Sequence, residues 1–129
     1  MIGIKVLVAE DETVVRYALA QLLDAEDDID VVGEAPDGEL AVALARQSRP
    51  DVVLMDLRMP RMDGFETIVA LRDSPATADI PIIAISAWDN VKNEERALAL
   101  GANRCIVKPF DPDEVMRAIN ACTNVDRTT

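Results

Sequence analysis

The sequence of 129 residues contains no histidine, and this absence excludes several kinds of chemistry. Imidazole general bases, serine–histidine and cysteine–histidine nucleophile pairs, and histidine-ligated metal sites are all ruled out. Any reaction at this protein must therefore use its own carboxylates, hydroxyls and lysines.

Cysteine is nearly as scarce, since the chain contains only Cys105 and Cys122. Two thiols cannot form a four-thiolate zinc site, and one pair in an acidic chain of this size is not a disulfide framework. Free cysteine in an apolar segment is usually a small buried side chain. We therefore expect both cysteines to lie in the core of a protein from a reducing cytoplasm.

The chain also lacks long apolar runs and an excess of basic residues. Its apolar runs are far shorter than the roughly 18 residues that a membrane span needs, and its first residues lack the pattern of a signal peptide. Lysine and arginine number 13 against 24 acidic residues, which gives a net charge of −11. We therefore predict a cytoplasmic protein that binds neither nucleic acid nor a membrane directly.

Half of the residues are apolar, and the length suits a single domain with a substantial core. Short apolar runs alternate five times with segments of helical period, which predicts an α/β fold: a parallel sheet with helices on both faces. The predicted strands are 4–9, 29–34, 51–56, 80–85 and 104–107, and the predicted helices cover about 14–23, 37–47, 65–72, 90–100 and the residues from 111 on. We predict one domain over residues 1–129, with its core at about 4–122.

Two helix boundaries carry clear signals. The fourth helix is predicted to stop at Gly101, which can adopt the left-handed conformation that ends many helices. The fifth is predicted to open with Asp111 as the capping residue, Pro112 at the first helical position and Glu114 at the third.

Polar residues stand at the carboxyl ends of four predicted strands, where open parallel sheets bind ligands. They are Glu10 and Asp11 after the first strand, Asp56 at the end of the third, Ser86 after the fourth and Lys108 after the fifth. Each one alone is more often a loop or capping residue. Their joint placement at one edge predicts a site.

Three carboxylates crowd this edge against one lysine. Like charges about 4 Å apart repel by ~1 kcal/mol in water and ~4 kcal/mol at an effective dielectric constant of 20. Mg²⁺ relieves this repulsion, because it prefers one or two carboxylates, waters and a phosphate oxygen. A carboxylate could then attack a phosphoryl group while the lysine and the serine hydroxyl meet its oxygen charges. The edge therefore predicts a magnesium-dependent phosphoryl acceptor.

At these residues the sequence resembles the receiver domains of bacterial two-component response regulators, including the single-domain chemotaxis type. Lys5–Glu12 resembles the family's acidic segment, Met55–Gly64 its phosphoacceptor segment and Val107–Phe110 its lysine–proline segment. The resemblance covers essentially the whole chain. It implies a doubly wound, flavodoxin-like sheet of five parallel strands in the order 2-1-3-4-5, with five helices.

The resemblance also implies roles for the site residues. Asp56 would accept a phosphoryl group from a sensor histidine kinase or a histidine phosphotransfer protein, so that a partner supplies the missing histidine. Glu10, Asp11, Asp56 and the backbone carbonyl of Arg58 would hold Mg²⁺. Lys108 would pair with a phosphoryl oxygen, and its bond to the following proline would be cis.

The switch that reports phosphorylation is predicted to depart from the family's pattern. Ser86 would bind the phosphoryl group and move inward. The family usually has tyrosine or phenylalanine three residues before the lysine, where this chain has Cys105. The shift would then be relayed by packing alone or by a side chain of the fourth helix. Arg58 and Trp88 stand where family members differ in dephosphorylation rate.

The main interpretation is a signalling domain, not an enzyme, whose changed surface on helix four, strand five and helix five binds an unknown downstream protein or a second copy. The chain is expected to be free-standing, with the receiver part of a longer transcriptional or enzymatic regulator as the alternative. A haloacid-dehalogenase-type phosphatase would need aspartate in place of Arg58. A flavodoxin-like binder would need a Ser/Thr/Gly-rich loop in place of Glu10–Glu12.

Overall fold

The structure is a computed structural model, and it describes residues 3–86 and 91–123. Strands and helices alternate along these residues, which confirms the predicted α/β fold. The strands are β1 (Ile4–Ala9), β2 (Ile29–Ala35), β3 (Val52–Asp56), β4 (Ile82–Ser86) and β5 (Arg104–Val107). The helices are α1 (Thr13–Asp24), α2 (Gly38–Ser48), α3 (Gly64–Asp73), α4 (Val91–Leu100) and α5 (Pro112–Thr123). No helix in this part of the chain is long and apolar enough to cross a membrane.

The strands form one parallel sheet in the order β2-β1-β3-β4-β5, which confirms the predicted topology. The register aligns the carboxyl ends of the central strands, because Asp56 pairs with Ile85 and Ser86 pairs with Val107. Residues that end one strand are therefore near those that end the next.

Apolar side chains fill both faces of the sheet. Leu7, Val53 and Met55 pack with α2, α3 and α4 on one face. On the other face, Val6 and Leu54 pack with α1 and α5. Every residue of β3 is buried, including Asp56 at its end, and the apolar residues before Asp56 are those predicted for a central strand. The residues at the carboxyl edge of the sheet are therefore attached to strands that are packed on both faces.

Three strands differ from the prediction by one or two residues: β2 ends at Ala35, β3 begins at Val52, and β4 covers Ile82–Ser86. Hydrogen bonds explain the start of β4 and the end of β2. β4 begins at Ile82, where the backbone N–H bonds to Asn103 Oδ1 at 2.9 Å, whereas Ile80 N–H bonds within a turn to Thr77. β2 extends to Ala35, because its carbonyl accepts the N–H of Glu10 at 2.9 Å.

The predicted helix ends are confirmed. Gly101 follows α4 with φ = +126°, and α5 begins at Pro112. The Asp111 carboxylate accepts the N–H of Asp113 at 2.9 Å, and Glu114 accepts the N–H of Asp111 at 3.2 Å. The predicted start of helix four, residue 90, lies outside the described residues.

The side chain of Arg72 joins α3 to the turn after α4. Its guanidinium donates hydrogen bonds to the carbonyls of Ala78 (2.8 Å), Ile80 (2.7 Å) and Gly101 (2.9 Å), and to Asn103 Oδ1 (2.9 Å). One side chain thus binds four oxygen acceptors in two segments, before β4 and after α4, at the edge of the sheet opposite the strand carboxyl ends.

The first residue of α3 packs directly on the end of β3. A Cβ on Gly64 would lie 2.6 Å from Leu57 Cα and 2.9 Å from the carbonyl oxygen of Asp56. We expect Gly64→Ala to lower the free energy of unfolding by about 1–3 kcal/mol, because backbone atoms cannot yield as a flexible side chain can. Urea denaturation measures this. Gly3→Ala, whose Cβ would lie 3.3 Å from its nearest neighbour, is the control; equal losses in the two variants would contradict the expectation.

Candidate functional site

Four of the predicted site residues lie together at the carboxyl edge of the sheet. Asp56 and Ser86 are the last residues of β3 and β4, and Glu10 and Lys108 directly follow β1 and β5. Glu10, Asp56 and Ser86 are buried, with 1%, 4% and 2% of their surface exposed. Buried polar groups of this kind need partners, and the structure supplies them.

Lys108 binds both buried carboxylates. Its Nζ lies 2.5 Å from Asp56 Oδ2 and 3.3 Å from Glu10 Oε1. The other oxygens accept backbone N–H groups: Arg58 N–H bonds to Asp56 Oδ1 at 2.8 Å, and Glu12 N–H bonds to Glu10 Oε2 at 3.1 Å. Both carboxylates are therefore held from two sides.

The carboxylates nevertheless outnumber the lysine, and the pKa values of Glu10 and Lys108 are both raised. Burial raises the pKa of Glu10 to about 8, aided by hydrogen bonds to Asp56 and Asp11 that only a protonated carboxyl can donate. Burial acts to lower the pKa of Lys108, but hydrogen bonds and charge from Asp56 and Glu10 outweigh it and raise this pKa. The site therefore carries more negative charge than one ammonium neutralises.

An open cleft of about 550 Å³ lies over these residues. Asp11, Asp56, Arg58, Ser86 and Lys108 all line it. Glu10 does not line the cleft but lies beneath it, where it contacts the other two carboxylates. The structure thus brings the predicted residues together in two layers, with an exposed Asp11 above and a buried Glu10 below.

Two residues that line the cleft lie outside the segments that the sequence pattern indicated. Phe65 of α3 and Asn93 of α4 also line the cleft. Arg96 stacks on the Phe65 ring, with its guanidinium carbon 4.1 Å from the ring centroid. Nothing in the spacing of these residues indicated that helices three and four meet here.

The donor set suits magnesium better than a metal that needs a protein cage. In residues 3–86 and 91–123, no three acidic or cysteine side chains are placed so that they could hold a metal ion together. Mg²⁺ requires only one or two carboxylates, because it keeps several waters. Asp11 and Asp56 supply hard oxygen donors in an open polar cleft, where two carboxylates face one lysine. The residues present therefore fit the predicted ion.

The lysine–proline segment has the expected geometry. The Lys108–Pro109 peptide bond is cis, as the family resemblance implied. The backbone N–H of Lys108 donates to the carbonyl of Ser86 at 2.8 Å, which joins the ends of β4 and β5.

The remaining predicted residues lie elsewhere. Cys105 lies in a depression between α4, β5 and α5, not in the cleft. Cys105 and Cys122 are half-buried, whereas full burial was predicted, because both lie where the core meets the surface. Burial raises the pKa of Cys105 to about 11, so its thiol stays neutral at physiological pH. Trp88 lies outside the described residues.

Comparison with known families agrees with this geometry. A model of the response regulator receiver domain matches residues 6–120. The chain belongs to the response regulator receiver family. Membership in this family favours the receiver interpretation over the phosphatase and flavodoxin alternatives.

Curated relatives of this receiver domain are longer proteins. The transcriptional regulatory protein PdtaR of Mycobacterium tuberculosis is 40% identical over 115 residues, which are 89% of this chain and 54% of the relative. The nitrate/nitrite response regulator protein NarL of Escherichia coli is 33% identical over 115 residues, 89% of this chain and 52% of the relative. The chain spans about half the length of these relatives.

Solved receiver structures share the fold. The response regulator domain of Thermotoga maritima CheB is 31% identical, has a TM-score of 0.86, and the alignment covers 96% of this chain and 98% of that one. The receiver domain of the sensor histidine kinase PA1611 from Pseudomonas aeruginosa, with a magnesium ion coordinated in its active site cleft, is 29% identical. Its TM-score is 0.85, with 95% of this chain and 99% of that one covered.

Proposed function

We propose that this receiver domain accepts a phosphoryl group on Asp56 and so acts as a phosphorylation-activated response regulator. The observation that carries the proposal is the setting of Asp56. Its carboxylate ends the central strand, lines an open cleft, and is held by the Lys108 ammonium and the Arg58 N–H. A fixed, partly neutralised carboxylate at the floor of a cleft is suited to nucleophilic attack.

The proposed donor is a phosphohistidine on a sensor kinase or a phosphotransfer protein, and because this chain has no histidine, a partner must supply it. An oxygen of Asp56 forms the new bond to phosphorus as the phosphorus–nitrogen bond breaks, and the released imidazole takes a proton from solvent. Lys108 pairs with a phosphoryl oxygen, and the Ser86 hydroxyl donates to another. Both groups are already at the cleft wall, so little rearrangement is required.

Magnesium, when bound, would screen the carboxylates from the incoming phosphoryl oxygens. Glu10, Asp11, Asp56 and the Arg58 carbonyl are its proposed binding group. Asp11 and Asp56 line the cleft, and their carboxylates are the side chains proposed to bind the ion directly. Glu10, beneath them, adds negative charge and holds Lys108.

The proposed output is a changed surface rather than turnover of a separate substrate. Arg58 at the cleft, together with Trp88, is proposed to set the dephosphorylation rate. Ser86 is the proposed start of the switch, and Cys105 lies on the α4–β5–α5 face in a depression of about 580 Å³. An unknown downstream protein or a second copy of the chain would bind this face. We propose that it does so in the cytoplasm, as a free-standing domain or as part of a longer regulator.

The proposal is tested with acetyl phosphate as the phosphodonor. We expect the chain to gain the mass of one phosphoryl group when Mg²⁺ is present and to lose that label in hydroxylamine, which cleaves acyl phosphates. Removal of Mg²⁺ with a chelator should suppress labelling, because the carboxylates of Asp11 and Asp56 then repel the donor's phosphoryl oxygens. Intact-protein mass spectrometry measures the gain. Equal labelling with and without the metal would contradict the magnesium part, and no labelling at all would contradict the whole proposal.

A further inference from the structure

The carbonyl of Glu10 lies just beyond the last strand pairing. β1 pairs with β2 and β3 as far as Ala9, opposite Ala35 and Met55. Beyond this point the N–H of Glu10 still bonds to Ala35, but its carbonyl oxygen instead accepts a hydrogen bond from Arg16 Nη1 at 2.8 Å. Because Glu10 is 1% exposed, a carbonyl there is costly to leave unpaired.

Arg16 is itself held in place. Its Nε lies 3.5 Å from Glu34 Oε1 on β2, and 16% of its side-chain surface is exposed. Its backbone N–H bonds to the carbonyl of Glu12 at 2.8 Å, which closes the first turn of α1. The guanidinium therefore connects α1, β2 and the end of β1.

The bond from Arg16 acts on one particular peptide group. The carbonyl of Glu10 and the N–H of Asp11 belong to the same planar unit. The Cα atoms at its two ends carry the Glu10 and Asp11 side chains, so the orientation of the plane sets the direction in which both carboxylates leave the backbone.

We propose that Arg16 is a positioning residue of the magnesium site, which fixes the peptide between Glu10 and Asp11; this rests on the function proposed above. Arg16 does not line the cleft and does not touch the reacting atoms. Its effect is to keep Asp11, whose side chain is exposed, aimed at the position that faces Asp56.

A purely electrostatic role makes the opposite prediction. A guanidinium beside an acidic loop repels a cation, so its removal would tighten magnesium binding. If Arg16 positions the loop, its removal weakens binding, because the freed peptide must be ordered again each time the ion binds. The direction of the change therefore separates the two roles.

The experiment is a Mg²⁺ titration of the folded protein by calorimetry, without phosphodonor. We expect Arg16→Met to raise the dissociation constant about 10-fold, the lower end of the effect of outer-sphere partners on metal affinity. Arg16→Lys keeps the charge, but a single ammonium cannot bind the Glu10 carbonyl and the Glu34 carboxylate in the geometry of the planar guanidinium. Its magnesium dissociation constant should therefore lie between those of Arg16→Met and the unchanged protein. The amide resonance of Asp11 should shift in both variants before any metal is added.

Thr77→Val is the matched control for lost stability. Thr77 is buried and donates to the carbonyl of Leu71 at 2.6 Å in the segment before β4, away from the carboxyl edge. It should lower the unfolding midpoint without changing the magnesium dissociation constant.

Unchanged or tighter magnesium binding in Arg16→Met overturns the inference, and if that variant does not fold, an unchanged dissociation constant in Arg16→Lys does the same. Failure of the proposed function looks different. In that case the unchanged protein itself binds no magnesium and takes no label from acetyl phosphate.

Discussion

Replacement of Asp56 by asparagine should abolish phosphoryl labelling by acetyl phosphate while the domain stays folded. An amide has the size of the carboxylate but is a far weaker nucleophile, so the bond to phosphorus does not form. The fold should tolerate the change because the amide oxygen can still accept the N–H of Arg58, and the Lys108 ammonium keeps Glu10 as its partner. Labelling is measured by intact mass and folding by circular dichroism.

Asp63→Asn is the matched control for this variant. Asp63 lines the same cleft, but its carboxylate caps α3 by accepting the N–H of Glu66 at 2.9 Å. Asparagine caps helices as well as aspartate does, so this variant should keep both its label and its stability. Labelling that survives in Asp56→Asn would show that another group is the acceptor, and an equal loss in both variants would contradict a special role for Asp56.

The metal-free domain should lose stability as the pH rises from about 5 to about 8. The pKa of Glu10 is raised by burial from an ordinary 4.5 to about 8 in the folded state. Between these values the folded state binds a proton that the unfolded state releases, so the free energy of unfolding falls with pH. At 1.36 kcal/mol for each pKa unit, the loss across the window is on the order of 4 kcal/mol. Urea denaturation at a series of pH values measures it.

Glu10→Gln isolates this effect because glutamine resembles the protonated carboxyl. Its stability should match that of the unchanged protein near pH 5 and exceed it near pH 8. Glu12→Gln removes an exposed charge from the same loop and should keep the steep pH dependence. Added Mg²⁺ should restore stability at pH 8 in the unchanged protein, since a bound cation favours the ionised carboxylate. If the free energy of unfolding falls with pH equally in Glu10→Gln and in the unchanged protein, Glu10 is not the group that causes the pH dependence.

The elements of this domain were predictable because their signals are local. The apolar run that became β3 and the Gly101 and Asp111 boundary signals needed no knowledge of distant residues. The site residues Asp56 and Lys108 were also predictable, since parallel strands present their carboxyl ends at one edge. The strand order came from the family resemblance and not from local pattern.

The features that could not be predicted from the sequence depend on contacts between residues far apart in the chain. Arg72 looks like an ordinary helix arginine until its acceptors 29 and 31 positions away are known. The elevated pKa of Glu10 depends on burial, which no spacing reports. Phe65 carried a helical period and gave no sign that it also faces the cleft. The sequence likewise gave no sign of the role of Arg16, because its partner is the backbone carbonyl of Glu10.

The hydrogen bonds of Arg72 also determine how α4 can move. They tie Gly101 and Asn103, at the carboxyl end of the helix, to α3 and to the segment before β4, whereas Asn93 near its amino end lines the cleft. A helix of 10 residues is about 15 Å long. A tilt of ~10° about Gly101 would therefore displace Val91 by ~2.6 Å and leave the far end nearly still. The carboxyl end of α4 is therefore anchored away from Asp56, whereas its amino end lies beside the cleft that Asp56 lines.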